Sequence, residues 1–163
     1  MNLTNLFLPL SIGLSIVTYA LIAKWYIMPS LRKIPRANAL IPLMLLHTIR
    51  HIGTAFLLPG VTAVTLDLRF ANPAAYGDLL AAVLAFIAIA GLRLKWSMAI
   101  PLVWIFNLVG TIDLFHAVFQ GLWFHGNGDM GAMYILVALV VPAILVTHFM
   151  VFVLLLKPKR QAV

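Results

Sequence analysis

Apolar residues run along this chain in five long blocks, broken by short clusters of proline, glycine, lysine, arginine and aspartate. Crossing about 30 Å of hydrocarbon takes roughly 20 helical residues, with about 17–25 the usual range. Five blocks meet that length, at about residues 5–26, 39–59, 76–92, 96–119 and 131–156, the third being the shortest. The pattern predicts an all-α integral membrane bundle of five transmembrane helices, with residues 1–163 forming one transmembrane domain. No internal repeat or low-complexity tract interrupts it. Between the second and third blocks, Leu66-Asp67-Leu68-Arg69-Phe70 alternates apolar with charged, the pattern of a strand, a surface flap or an ordinary interfacial loop.

Composition supports this reading. Of the 163 residues, 64% are hydrophobic and 9% charged, against about 45–50% and about 25% in soluble domains. That excludes a cytosolic globular enzyme, a disordered tail and a disulfide scaffold. With no cysteine, disulfides, thiolate metal sites, thiol redox chemistry and c-type haem attachment are excluded together. Residues Met1 to Lys24 have no basic start and no A-x-A pattern, and read as a retained helix.

The net charge of +7 would suggest nucleic acid in a soluble protein. Here the bases flank the apolar runs, so they are read as a topology signal with no nucleic-acid partner. Lys24, Arg32, Lys33 and Arg36 follow the first span, Arg93 and Lys95 the third, and Lys157, Lys159 and Arg160 the fifth. Five spans bring all three groups to one side, which the positive-inside rule makes cytoplasmic. The N-terminus is then outside and the C-terminus cytoplasmic, in a bacterial inner membrane. Arg69 alone among the bases falls on the other side, toward which Asp67, Asp78, Asp113 and Asp129 also lie. Trp25, Trp96 and Trp123 fall at expected membrane edges, as an aromatic belt would, and Trp104 reads as packing.

The candidate chemistry lies inside the spans: His47, Arg50 and His51 in the second, Asn107, Asp113 and His116 in the fourth, and His148 in the fifth. An arginine or aspartate at mid-bilayer costs about 2.5–3.5 kcal/mol on the insertion scale, so such residues face the bundle interior and mark function by default. At 100° per residue (an ideal α-helix), His47, Arg50, His51 and Thr54 share a face, as do Asp113, His116 and Gln120, with Asn107 nearly opposite. At about 1.5 Å per residue, Arg50 and Asp113 differ by about 7 Å in height, within arginine's reach. An Arg50–Asp113 pair is therefore expected, neutralising the only two full charges expected within the spans. His47 with His148 is a second expected pairing and His51 with His116 a poorer one. Ser11, Ser15 and Thr18 form a small polar stripe on the first span.

The expected function is binding, with transport as its extension, of a small polar or amphipathic ligand. Its site comprises Arg50, Asp113, His47, His51, His116 and His148, with Arg50 holding an anionic head group and apolar walls a tail. Three alternatives stay open. One is a metal or haem site: His47-xxx-His51 lacks the H-E-x-x-H pattern and Arg50 between them repels a metal centred there, whereas a bis-histidine haem b through His47 and His148 escapes that objection because Arg50 could pair with a propionate. A second is an intramembrane enzyme on a lipid-like substrate, with Asp113 and His116 opposite His51 and Arg50; no nucleophile motif or phosphate loop supports it. The third is a structural or assembly subunit. Membrane lipids and a small molecule are the expected partners. The small residues Ala81, Ala82, Ala85, Ala88, Ala90 and Gly91 suit packing within the bundle or a homo-oligomer.

Overall fold

The computed structural model describes residues 4–123 and 130–156; Asp129, Lys157, Lys159 and Arg160, used in the charge reading, lie outside the described residues. The architecture is all-helical. Five helices long and apolar enough to cross a membrane follow one another: α1 (Leu6–Leu31), α2 (Arg36–Leu57), α3 (Leu68–Arg93), α4 (Ala99–Gly121) and α5 (Met133–Leu156). Among the described residues there is no strand, only an isolated bridge between Pro59 and Thr62.

Local chemistry sets each turn. Pro35 is extended, with ψ 144°, and its ring disfavours the helical region for Ile34, so α1 cannot run on into α2. Asp67 caps α3: its Oδ1 accepts from the Arg69 backbone N–H at 2.8 Å, satisfying an orphan donor of the first turn. The Arg69 side chain holds the Asp67 carboxyl below the usual carboxylate range, with the backbone bond adding to the effect. Leu66–Phe70 is thus neither strand nor flap, and α3 starts at Leu68 instead of near Tyr76. Five residues of alternation cannot outvote a cap followed by a long helical run. At the far end of α3, Lys95 takes the left-handed conformation with φ 55°. The Trp96 N–H then closes back on the Gly91 carbonyl at 2.9 Å, a Schellman-type stop.

Helices α2, α3, α4 and α5 form a closed ring, each packed on the next and α5 returning to α2, while α1 lies outside along α5. Two apolar clusters fill the interior. At the end of the bases, Leu40 and Met44 of α2 meet Ala85 and Ala88 of α3, Val103 and Phe106 of α4, and Val151 of α5. At the other end, Phe56, Phe70, Ala71, Ala75, Met130 and Met133 pack together. The alanine stripe of α3 is consumed inside the ring.

Among the described residues, three stretches depart from α geometry. Ala23–Ile27 in α1 and Leu136–Val140 in α5 are π-helical, and Ile49–Leu57 in α2 is a nine-residue 3₁₀ run. A 3₁₀ helix eclipses every third side chain. The buried residues of that run are accordingly Arg50, Gly53 and Phe56.

The tight α3 seam makes a sign-specific test. Ala85 is 0% exposed and the adjacent Phe86 57%. Ala85→Leu is expected to destabilise the protein by about 1–3 kcal/mol through overpacking, lowering the thermal unfolding midpoint in detergent, whereas Phe86→Leu leaves it nearly unchanged. Equal effects would contradict the packing described.

Candidate functional site

Between the two apolar clusters lies a polar layer centred on Arg50, which is 2% exposed. Its guanidinium carries five N–H donors and is held from three helices. Nε donates to Asp78 Oδ1 of α3 at 2.7 Å, and Nη2 to Asp113 Oδ2 of α4 at 2.5 Å. Nη1 donates to the Gly110 carbonyl of α4 at 3.2 Å and to His148 Nε2 of α5 at 3.4 Å. These contacts fix the His148 tautomer. A ring nitrogen that accepts from arginine carries no proton, so the proton sits on Nδ1 and is donated to Asn107 Oδ1 at 2.8 Å. The Asn107 amide in turn donates to the His148 carbonyl at 3.3 Å.

His47, fully buried, stands beside this network with its ring centroid 4.2 Å from that of His148 and 5.0 Å from Phe106. Its Nε2 meets the Thr147 hydroxyl at 3.0 Å, and its buried Nδ1 has no partner among the described residues.

Glycine makes the layer possible. A methyl group on Gly53 of α2 would collide with the Asp78 carboxyl, and one on Gly77 of α3 with that of Asp113. On Gly110 of α4 it would press on the His148 ring and the Arg50 guanidinium. Asp78, Asp113 and the Arg50–His148 contact thus each lie where a facing helix has no Cβ.

The expected Arg50–Asp113 pair forms, and His47 and His148 are in contact. Asp78 was not anticipated: three charges meet in the interior where two were expected. The pattern that could have revealed it is the α3 stripe Ala71, Ala74/Ala75, Ala81/Ala82, Ala85, Ala88, into which residue 78 falls at helical spacing. Asn107, nearly opposite Asp113 by helical phase, is also interior, because α4 is flanked by α3 on one side and α5 on the other.

His51 and His116 are not part of the layer. Both are exposed, and His51 Nδ1 bonds its own helix at the Thr48 carbonyl, 2.8 Å away. The buried row of the 3₁₀ run is Arg50, Gly53 and Phe56, and His51, about 120° round from Arg50, falls in a different row. Of the set proposed for an enzyme, Arg50 and Asp113 meet and His116 lies near enough to Asp113 to interact with its charge, whereas His51 turns back on its own helix.

The haem alternative fails to fit. Metal–nitrogen bonds of about 2.0–2.1 Å put two axial nitrogens about 4 Å apart with the rings pointing away from each other. Here the ring centroids themselves are 4.2 Å apart, and both His148 nitrogens are committed to Arg50 and Asn107. No group of three or more metal-ligating acids or histidines occurs among the described residues.

A cavity of about 300 Å³ opens from the layer toward the end away from the bases, between α1 and the ring. Leu8, Pro9, Ile12 and Gly13 of α1 form one wall; Phe70, Ala74, Leu114, Ala117, Leu136 and Val137 are among the residues of the others. Arg50 and Asp78 are its only charged lining residues among those described. The π turn of α5 contributes Leu136 and Val137, and Ser11 of α1 bonds the Tyr134 hydroxyl of α5 at 3.1 Å beside it.

The chain belongs to the DUF8737 family, a domain of unknown function, whose pattern matches residues 7–156. No curated protein matches it, and no solved structure does.

The glycine contacts give opposite signs for one kind of substitution. Alanine for glycine inside a helix ordinarily stabilises by about 0.5–1 kcal/mol, the result expected for Gly13→Ala, whose added methyl meets nothing within 4 Å. Gly77→Ala is expected to destabilise by about 1–3 kcal/mol, because Asp113 cannot retreat without leaving Arg50. Thermal unfolding of both variants in detergent checks this, and a stabilised Gly77→Ala would contradict the site geometry.

Proposed function

We propose that this chain is an integral protein of the bacterial inner membrane, crossing it five times with the N-terminus outside, and that it binds a small amphipathic molecule in the cavity above the Arg50 layer. The described bases at the ends of α1 and α3 and the start of α2 support that orientation through the positive-inside rule. A cavity at the small end of the ligand-pocket range, about 300–1,000 Å³, with apolar walls and a few convergent polar groups is the usual form of a small-molecule site.

One observation carries the reading: the apolar cavity ends on a guanidinium already bound by two carboxylates. It also changes the expected head group. Arg50 is engaged by Asp78, Asp113, Gly110 and His148, so an anion would have to displace a carboxylate. The layer presents two carboxylates to one guanidinium that they already hold. It therefore favours a head group that donates hydrogen bonds or carries positive charge, while the hydrocarbon part lies between α1 and the ring. Entry and exit of the ligand past α1, which packs on α5 alone among the ring helices to any substantial extent, would make the same site a step in transport.

The test uses the full chain, recovered from membranes and placed in lipid nanodiscs, with octylammonium as the probe and octyl sulfate as the anionic control. Octylammonium is expected to raise the unfolding midpoint of the wild type in a saturable way, and octyl sulfate to do so far less. Ala74→Phe, which fills the cavity wall, is expected to abolish the octylammonium effect. Equal responses to both probes, or an undiminished response in Ala74→Phe, would refute the assignment.

A further inference from the structure

A second groove lies at the other end of the molecule, on the outside of the α1–α5 contact. It encloses about 650 Å³, with Ala20, Ala23, Phe149 and Met150 in its walls and Lys24 and Arg32 lining it toward the α1–α2 turn. The small side chains of Ala20 and Ala23 leave the furrow open. The π turn Ala23–Ile27 keeps Ala23 buried while Lys24 stays exposed.

The charge balance there is one-sided. The three described carboxylates are all engaged elsewhere, Asp67 with Arg69 and both Asp78 and Asp113 with Arg50. Lys24 and Arg32 thus share an apolar furrow with no carboxylate among the residues lining it. An occupant that satisfies both halves of this surface needs a hydrocarbon chain ending in an anion. We propose that the groove binds one anionic phospholipid, an acyl chain lying between α1 and α5 and the phosphate resting between the Lys24 ammonium and the Arg32 guanidinium. Basic pockets between helices at the cytoplasmic face are suited to anionic head groups. The proposal rests on the membrane insertion inferred above and is independent of any ligand in the interior cavity.

Nanodiscs containing equal parts of phosphatidylglycerol and phosphatidylcholine provide the test, with the lipids that stay on the released protein counted by native mass spectrometry. The wild type is expected to retain one phosphatidylglycerol in preference to phosphatidylcholine. Each base near the surface is worth about 5-fold in binding, so Lys24→Gln/Arg32→Gln is expected to reduce that preference by about 30-fold. Arg93→Gln/Lys95→Gln removes the same charge from the same end outside the groove and is expected to keep the preference. Equal retention of the two lipids by the wild type would overturn the site. So would an equal loss in the Arg93/Lys95 variant, which would assign the effect to general surface charge, or full displacement by glycerol phosphate at matching concentration, which would make the groove irrelevant. A chain that fails to enter nanodiscs at all would instead overturn the insertion reading, before any lipid is counted.

Discussion

A guanidinium taken out of water must find its counter-charge within the protein or not be charged there at all, and arginine does not give up its proton. Arg50 sits between two apolar clusters, so this constraint sets much of the interior. Asp78 faces it from the neighbouring helix α3 and Asp113 from α4 across the ring, and a backbone carbonyl and a histidine take further N–H groups. Three glycines thin the backbone where these side chains pass. Removing one partner of a buried pair is far more damaging than replacing the whole set with neutral groups, so the layer acts as a unit.

The same constraint links fold to chemistry. The long 3₁₀ run in α2 keeps Arg50, Gly53 and Phe56 in line, so the charge, the gap for Asp78 and the aromatic wall of the cavity all stack on one face. Phe56 meets Phe70 edge-on with centroids 5.4 Å apart, closing the cavity on the side of the α2–α3 connection. The charged floor of the cavity is thus a paired Arg50 and Asp78 rather than a free arginine.

Much of this was legible in the sequence, for physical reasons that also explain the misses. Five helices of this length follow from block lengths alone, and Arg50 with Asp113 follows from height and the scarcity of charge. Asp78 was overlooked because it lies near the expected start of its span, and only the alanine spacing of α3 shows that it faces inward. His51 was misplaced because helical phase was taken at α-helical pitch through a stretch that winds as 3₁₀. That change of pitch has no signature in the residues Ile49–Leu57 themselves. His116 followed Asp113 by one turn, yet Asp113 is reached by Arg50's long side chain, whereas the shorter imidazole of His116 remains outside. The start of α3 was missed because an aspartate cap and a short alternating segment look alike until the following helix is known.

The central claim is that Asp78 and Asp113 jointly neutralise Arg50 in a desolvated layer. The most direct measurement is the thermal stability of Arg50→Met beside that of Arg50→Met/Asp78→Asn/Asp113→Asn, under identical conditions. The account requires the single variant to lose about 3–5 kcal/mol, the cost of leaving buried charge without its partner, and the triple variant to recover at least half of that loss. An Arg50→Met protein as stable as wild type, or a triple variant no better than the single one, would contradict it.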